Sequence, residues 1–494
     1  MAECCSAEWQ SLAPGLSPPP RWRRLLLCGC LIGSLMAAGI CPAWGQPVAP
    51  ALSFAEAQQA LLERSDQWAA DGKAVESARL RREGMDGFGG PSVAVTGMAY
   101  RYSVNADIDL DPARRMLNGA IGMLPSELGS ALPGLPQLPS SVGLQREKNN
   151  ASASLSLVWP LYVGGLSDAV RSGLDAATDE AVADATRSRE SLQSLLVQRY
   201  FGAQLAERAA QLRMRALDAV RRHDAAAQSM LKAGVIARVE RLQAGAALAD
   251  AEQQARKARD DADLAATALA RTVRAQSRVL PSSPLFVSSR PLPPLQEFVS
   301  AAERQHPGLD KVQAKRRQAG ALHDAQEALR KPQVLAFGSH ELATSGKPNW
   351  IAGVAVRWTL WDSIDRNALA ASSQRKIEQA DLMEAQARSD IALLVEKNWM
   401  GVEQARRQYQ AQQAQEDLAR ELLRLREAGL QEGTSTVLDL IDAQTNLAKV
   451  ETQRAESANQ YVQALAALLE SSGQGDAFER YMAQADIQIP SNAP

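Results

Sequence analysis

Two stretches of the chain place apolar residues at every second position. From Ala151 to Leu161, the residues Ala151, Ala153, Leu155, Leu157, Trp159 and Leu161 alternate with Ser152, Ser154 and Ser156. Further on, Ala352, Val354, Val356, Trp358 and Leu360 alternate with Gly353, Arg357 and Thr359. A period of two predicts strands with one apolar face. Partner strands are expected at 91–104 and 332–344, opening after Pro91 and Pro332, and Ser345–Asn349 reads as a compact hairpin turn. The remaining pattern is helical. Residues 166–231 and 366–430 contain no proline, and Leu192, Leu195, Leu196 and Tyr200 follow helical spacing. Each stretch would span roughly 100 Å as a helix. Gly234 and Gly433 mark turns, and second long helices follow at about 236–277 and 435–471. Shorter helical stretches at 52–86 and 295–330 precede the strands.

These elements form a duplication. Trp159 matches Trp358, Gly202 matches Gly401, Gly234 matches Gly433 and Leu248 matches Leu447, all at an offset of 199. Glu56 matches Glu297, Ala60 matches Ala301 and Pro91 matches Pro332 at an offset of 241. Internal self-similarity of this length decides the architecture. The first half is 42 residues longer, and the surplus falls near 105–150, where Ala131–Val142 is rich in Pro, Gly and Ser and reads as part of a long loop. The domain organisation expected is a leader at 1–45, a first repeat at 46–280, a Pro-rich linker at 281–294, a second repeat at 295–472 and a less ordered tail at 473–494.

The leader reads as an export signal. Arg21, Arg23 and Arg24 precede an apolar run from Leu25 to Ile40, and Ala43-Trp44-Gly45 offers a cleavage site before Gln46. A retained anchor is the alternative, but the run falls short of the roughly 20 residues a span needs. The five cysteines stand at 4, 5, 28, 30 and 41, so cleavage leaves none for disulfides, zinc or nucleophilic catalysis. Cys41 follows the bulky Ile40 and is a poor lipidation site. With no other run long enough for a membrane helix, insertion into a bilayer has to use strands.

Composition narrows the function. Lys and Arg total 54 against 56 Asp and Glu, a balance that argues against nucleic acid as the partner. Phosphate-loop, zinc-protease and nucleophile-elbow motifs are missing, and His223, His306, His323 and His340 share no metal-ligand spacing. No enzyme activity and no cofactor is expected.

Two strand pairs give four strands, which cannot close a barrel, and open edges are not tolerated in lipid. Three copies would supply 12 strands, enough for a barrel with a water-filled lumen. The fold class expected is therefore mainly α with a small β part: a trimeric 12-stranded β-barrel continued by an α-helical barrel. Tyr100, Tyr102, Trp159, Tyr162, Trp350, Trp358 and Trp361 lie on or beside the strands and are candidates for aromatic girdles.

At this point the chain resembles the TolC-like outer-membrane factors. The resemblance rests on Trp159-Pro-Leu-Tyr-Val-Gly-Gly165, similar to that family's strand-to-helix junction (Trp159, Pro160, Tyr162, Gly164, Gly165), and on Gly433-Thr-Ser-Thr-Val-Leu-Asp-Leu-Ile-Asp-Ala-Gln444, similar to its helical turn at the periplasmic entrance. Leu52-Ser-Phe-Ala-Glu-Ala57 and Gln305-His-Pro-Gly-Leu309 resemble its repeat openings. The resemblance implies a homotrimeric duct in the bacterial outer membrane, in contact with lipid and coupled to a periplasmic adaptor and an inner-membrane transporter, either an ABC protein or a proton-driven pump. It carries the family's entrance acids onto Asp439 and Asp442. These lie on one helix face and, in a trimer, would form carboxylate rings that favour cations. The first-half turn has Glu240 where the second has Asp439. Leu430 and Ser435 stand where the family often carries a Tyr and an Arg that lock the closed entrance. Protein export by a type I system and small-molecule efflux both fit, and the poor lipidation site leans toward the former. The alternative is a periplasmic coiled-coil adaptor or scaffold, against which the paired strands speak.

Overall fold

The computed structural model describes residues 50–122, 139–343, 349–361 and 363–489. The proposed leader and most of the expected turn at 345–349 lie outside the described residues. In chain order the elements are β1 (Ala51–Leu52), α1 (Phe54–Arg64), α2 (Asp66–Gly84), β2 (Ser92–Asp109), α3 (Asp111–Gly122), β3 (Ser141–Tyr162), α4 (Leu166–Lys232) and α5 (Arg238–Thr272). The second half follows with β4 (Leu280–Pro281), β5 (Leu285–Val287), α6 (Leu295–Gln305), α7 (Pro307–Ala328), β6 (Gln333–Ala343) and β7 (Trp350–Arg357). It ends with α8 (Arg366–Gln431), α9 (Val437–Ser471), α10 (Phe478–Gln484) and β8 (Ile487–Ile489).

The long helices match the sequence expectation closely, because Ala-rich stretches without proline leave nothing to break them. The shorter opening helices are each split in two. Ser65 ends α1 and caps α2 by accepting the Trp68 amide, and His306 does the same between α6 and α7 through Nδ1 and the Gly308 amide at 3.0 Å. The two capping residues are separated by the repeat offset of 241. His306 is thus a helix cap.

β2, β3, β6 and β7 form one antiparallel sheet in that order. The first hairpin is much longer than expected. β2 runs on through Asp109 and β3 begins at Ser141, so both ends of the stretch read as a loop are strand, and α3 lies between them. β7 is shorter than expected: it ends at Arg357, leaving Trp358 and Leu360 past the strand.

The core sits midway, where the repeats meet. Phe54, Tyr200, Phe201, Phe286, Tyr461 and Phe478 bring together α1, α4, β5, α9 and α10, with ring centroids 5.1 to 6.3 Å apart. The buried Tyr200 hydroxyl donates to the Leu52 carbonyl at 2.6 Å and accepts from the Ser282 and Ser283 amides at 3.0 and 2.8 Å. It therefore ties the start of the first repeat to the linker. The linker itself is structured: β4 pairs with β1, and β5 pairs with β8. The tail is ordered through Ile489 for the same reason. Phe478 and Ala485 are buried, and Asp486 accepts from Ser289, so the tail completes the core rather than trailing from it.

Candidate functional site

Two places in the fold hold the residues singled out from the sequence: the tips of the two long helical hairpins and the sheet at the other end of those helices.

At the second tip, Gly433 has φ +73°, a left-handed conformation that favours glycine. The Thr434 amide reaches back to the Gly429 carbonyl at 2.7 Å and the Gly433 amide to Leu430, closing α8. At Gly429 a Cβ would crowd the side chains of Thr434 and Ser435, so glycine leaves this turn room to close. Thr436 then opens α9 with a reciprocal capping box. Its hydroxyl accepts from the Asp439 amide at 3.1 Å, while Asp439 Oδ2 accepts from the Thr436 amide at 3.0 Å and its hydroxyl at 2.8 Å. These bonds hold the Asp439 carboxyl below its ordinary pKa, with a smaller contribution from the Arg426 guanidinium 4.0 Å away. Asp442 is exposed almost one turn on.

The first tip repeats the turn without the box. Gly234 has φ +74°, and the Val235 amide reaches Met230 O at 2.9 Å. Glu240 occupies the third position of α5, but Ala237 stands at the cap and has no side chain to reciprocate. Beneath the tips, Val220, Ala227, Ala244, Val437 and Ile441 form an apolar cluster with Leu430 and Ile236 packed against it. Leu430 therefore binds the two hairpins together by apolar packing. Sequence reasoning missed a partner of this cluster, the half-buried ion pair of Asp224 and Arg241 at 2.7 Å, because its residues are 17 apart and meet only through the hairpin.

The sheet register sorts the strand residues onto two sides, since directly opposed residues of an antiparallel pair share a side. Val93 and Val95 oppose Leu157 and Leu155, and β6 and β7 add Val334, Ala336, Ala352, Val354, Val356 and Trp350, interrupted by His340. Trp159 lies on this side, opposite Ala336. A bulge between Pro160 and Tyr162 carries Tyr162, rather than Leu161, opposite Val334 and onto the same side. Pro160 costs the ladder little, because pairing of β3 with β2 ends at Val158 and leaves only β6 beside it. Ala151 to Leu161 extends about 33 Å along the strand, which a tilt of about 40° reduces to about 25 Å, the height of a lipid-facing band. The other side is mixed: Thr96, Ser152, Ser154, Ser156, Ser339 and Arg357 share it with Met98, Val158, Leu335, Phe337 and Ile351. Tyr100 and Tyr102 belong to that side, with rings 6.2 Å apart, so register separates them from the girdle candidates.

The strand-to-helix junction is closely packed. Gly164, at φ +71°, lies against the end of α7, where a Cβ would meet the Ala328 carbonyl at 2.3 Å. Gly165 follows at φ +97° and leads into α4. Trp358 reaches the same region, donating from Nε1 to the Arg330 carbonyl at 3.3 Å, and Trp361 is exposed. Among the described residues, no helix is long and apolar enough to cross a membrane, and no group of three or more His, Cys, Asp and Glu side chains could hold a metal.

This geometry can be set beside known proteins. The model of the outer membrane efflux protein family matches residues 298–474. No curated protein matches the chain. Its fold is similar to that of the CmeC outer membrane channel of Campylobacter jejuni, with TM-score 0.70 and 13% identity over 90% of this chain and 94% of that one. It is also similar to the outer membrane protein VceC of Vibrio cholerae (0.68 and 14%, over 85% and 96%). The MtrE outer membrane channel of Neisseria gonorrhoeae gives 0.67 and 18%, over 85% and 89%. The family model lies on the second repeat, and the shared fold extends through both. The chain thus matches the outer membrane efflux protein family over its second half, and through both halves it shares the fold of solved outer membrane channels.

Proposed function

We propose that the protein is the exit duct of a tripartite export system. One observation carries this reading. The four-stranded sheet is open at β2 and at β7; one side is almost wholly apolar, and the other is mixed and carries the strand serines, Thr96 and Arg357. A sheet of this kind is stable in lipid only when its edges are paired, and three copies close it into a 12-stranded barrel. Its apolar side then meets lipid and its mixed side lines a water-filled lumen. The long helices continue the lumen through the periplasm toward an adaptor and an inner-membrane transporter. Two repeats, 46–280 and 295–472, joined by the linker at 281–294 and preceded by a cleaved leader at 1–45, are part of the same reading.

Trp159, Tyr162 and Trp350 are interfacial anchors on the lipid side. Asp439 and Asp442 lie at the helical mouth, where three copies form two acidic rings that favour cations. Asp439 also closes its own turn. The apolar cluster around Leu430 holds the two hairpins together at that mouth.

The cargo is either a secreted protein or small molecules. The family's description as an efflux protein supports small molecules, and the poor lipidation site at Cys41 is the residue that favours protein export. Deleting the gene and measuring both drug susceptibility and the secreted proteins separates the two. For the duct itself, outer-membrane protein solubilised in detergent is expected to run at three times the chain mass. A monomer that stays soluble without detergent favours the scaffold alternative.

A further inference from the structure

The first hairpin outruns the second. β3 pairs with β6 only from Ala153 onward, whereas its pairing with β2 continues to the Asp109–Ser141 pair. A two-stranded ribbon, residues 100–109 against 141–150, therefore stands beyond the four-stranded sheet, at the end away from the helices. The ladder runs from Ser92 to Asp109 without a register shift, so each side of the sheet continues into the ribbon.

The charges of the ribbon are sorted by side. The side of Val93, Val95, Leu155 and Leu157 continues with Arg101, Asp107 and Asp109 on β2 and Glu147 on β3, one cation against three acids. Arg101 meets Glu147 there at 3.0 Å. The side of Thr96 and Ser154 continues with Tyr100, Tyr102 and Val104 opposite Asn150, Lys148 and Arg146. Among the described residues of this side, none from Tyr100 to Ile108 or from Val142 to Asn150 is acidic. The next acid inward on this side is Glu341, opposite Ser154. Six residues of β3 separate Ser154 from Lys148, about 20 Å along the strand. At the tip, α3 adds Arg114 and Arg115 against Asp111, so it does not offset the basic side.

In the trimeric duct this side faces the threefold axis. Lys148 and Arg146 of three copies then place six positive charges around one opening. Like charges gathered about an axis repel unless water and counter-anions stand between them. We infer that the three ribbons wall an open cationic vestibule at the outer mouth, in which Lys148 and Arg146 draw and hold polyvalent anions. This inference rests on the trimeric duct reading. It gives the two ends of the duct fields of opposite sign, because Asp439 and Asp442 favour cations at the helical mouth.

The test uses the full-length protein in planar bilayers of neutral lipid, with citrate as the probe. Potassium chloride is held at about 0.1 M, where the Debye length is about 10 Å. Citrate added to one compartment is expected to reduce the wild-type current, and citrate added to the other is not. Lys148→Gln should raise the citrate concentration for half block about threefold or more. Lys148→Gln combined with Arg146→Gln should abolish the block and move the reversal potential further toward cations. Arg101→Gln removes one cation from the opposite side of the ribbon and should leave the block unchanged. If a Gln variant fails to assemble, Lys148→Cys modified after assembly gives the same comparison: an aminoethyl methanethiosulfonate restores the block and a sulfonatoethyl one does not. A conducting wild type that citrate leaves unaffected from both compartments overturns the vestibule. So does equal weakening by Lys148→Gln and Arg101→Gln, or an undiminished block in the conducting double variant. A wild type that passes no current overturns the duct reading, and the vestibule with it.

Discussion

Thr436 and Asp439 cap each other across the first turn of α9: the hydroxyl accepts the Asp439 amide, and Asp439 Oδ2 takes both the Thr436 amide and its hydroxyl. Asp442, almost one turn later on the same face, is exposed and lies outside this box. The two carboxylates therefore separate structure from charge. Asp439→Ala is expected to cost about 1 kcal/mol of stability through the lost cap, while Asp442→Ala costs little. Asp439→Asn and Asp442→Asn should both reduce cation preference in bilayer recordings, and the double variant should reduce it most. The Asp439 carboxyl titrates below its ordinary value, so its share of stability is complete above the unfolded value of 3.8 and fades as pH falls through the lower folded value. Unchanged selectivity in the double variant removes the pair from the conduction path.

Val95 and Thr96 are neighbours on opposite sides of β2. Val95→Lys places a charge on the apolar side and is expected to cost roughly 2–4 kcal/mol at the bilayer midplane, abolishing the trimer recovered from outer membranes. Thr96→Lys, on the mixed side, should assemble normally and alter conductance instead. Equal recovery of both variants contradicts the assignment of sides.

Tyr200→Phe removes a hydroxyl that serves three backbone groups, Leu52 O and the amides of Ser282 and Ser283. Leaving buried partners unsatisfied costs about 1–3 kcal/mol. A lowered melting temperature is expected, with proteolysis beginning in the linker at 281–294. Wild-type protection there contradicts the role given to the hydroxyl.

Glu190, on α4, sits near Glu470 and Asp476 at the end of α9, in a cavity it shares with Gln193. Burial, then the charges of Glu470 and Asp476, raises its pKa from 4.5 to about 7. The folded state thus holds this proton more tightly than the unfolded chain. The associated stability is complete below pH 4.5 and is lost as pH rises through about 7. Thermal melts of Glu190→Gln between pH 5 and pH 8 should lose this part of the pH dependence and lie above wild type at pH 8. Parallel curves for the two proteins contradict it.

Much of this architecture is legible in the residues. Long proline-free stretches gave the ends of α4 and α8 to within a residue or two, since a turn such as Gly433 is marked by the one residue that accepts its backbone angle. The far half of the first hairpin was not legible for a physical reason. Its alternation changes side near Tyr100, so no single period-two face continues from Val93 to Ile108, and a pattern sought on one face stops midway. The ordered tail was hidden because the rings that Phe478 meets are not local. Its partners Phe54, Phe201 and Phe286 lie far away in sequence. At the second helical tip, spacing marked Asp439 and Asp442 as a pair but could not tell that one is bound to Thr436 and the other is not.

Single-channel recording from the purified protein in planar bilayers tests the central claim most directly. Three protomers sharing their strands predict discrete current steps of uniform size, carried by a species of three times the chain mass and favouring cations. A water-soluble monomer that passes no current contradicts the account.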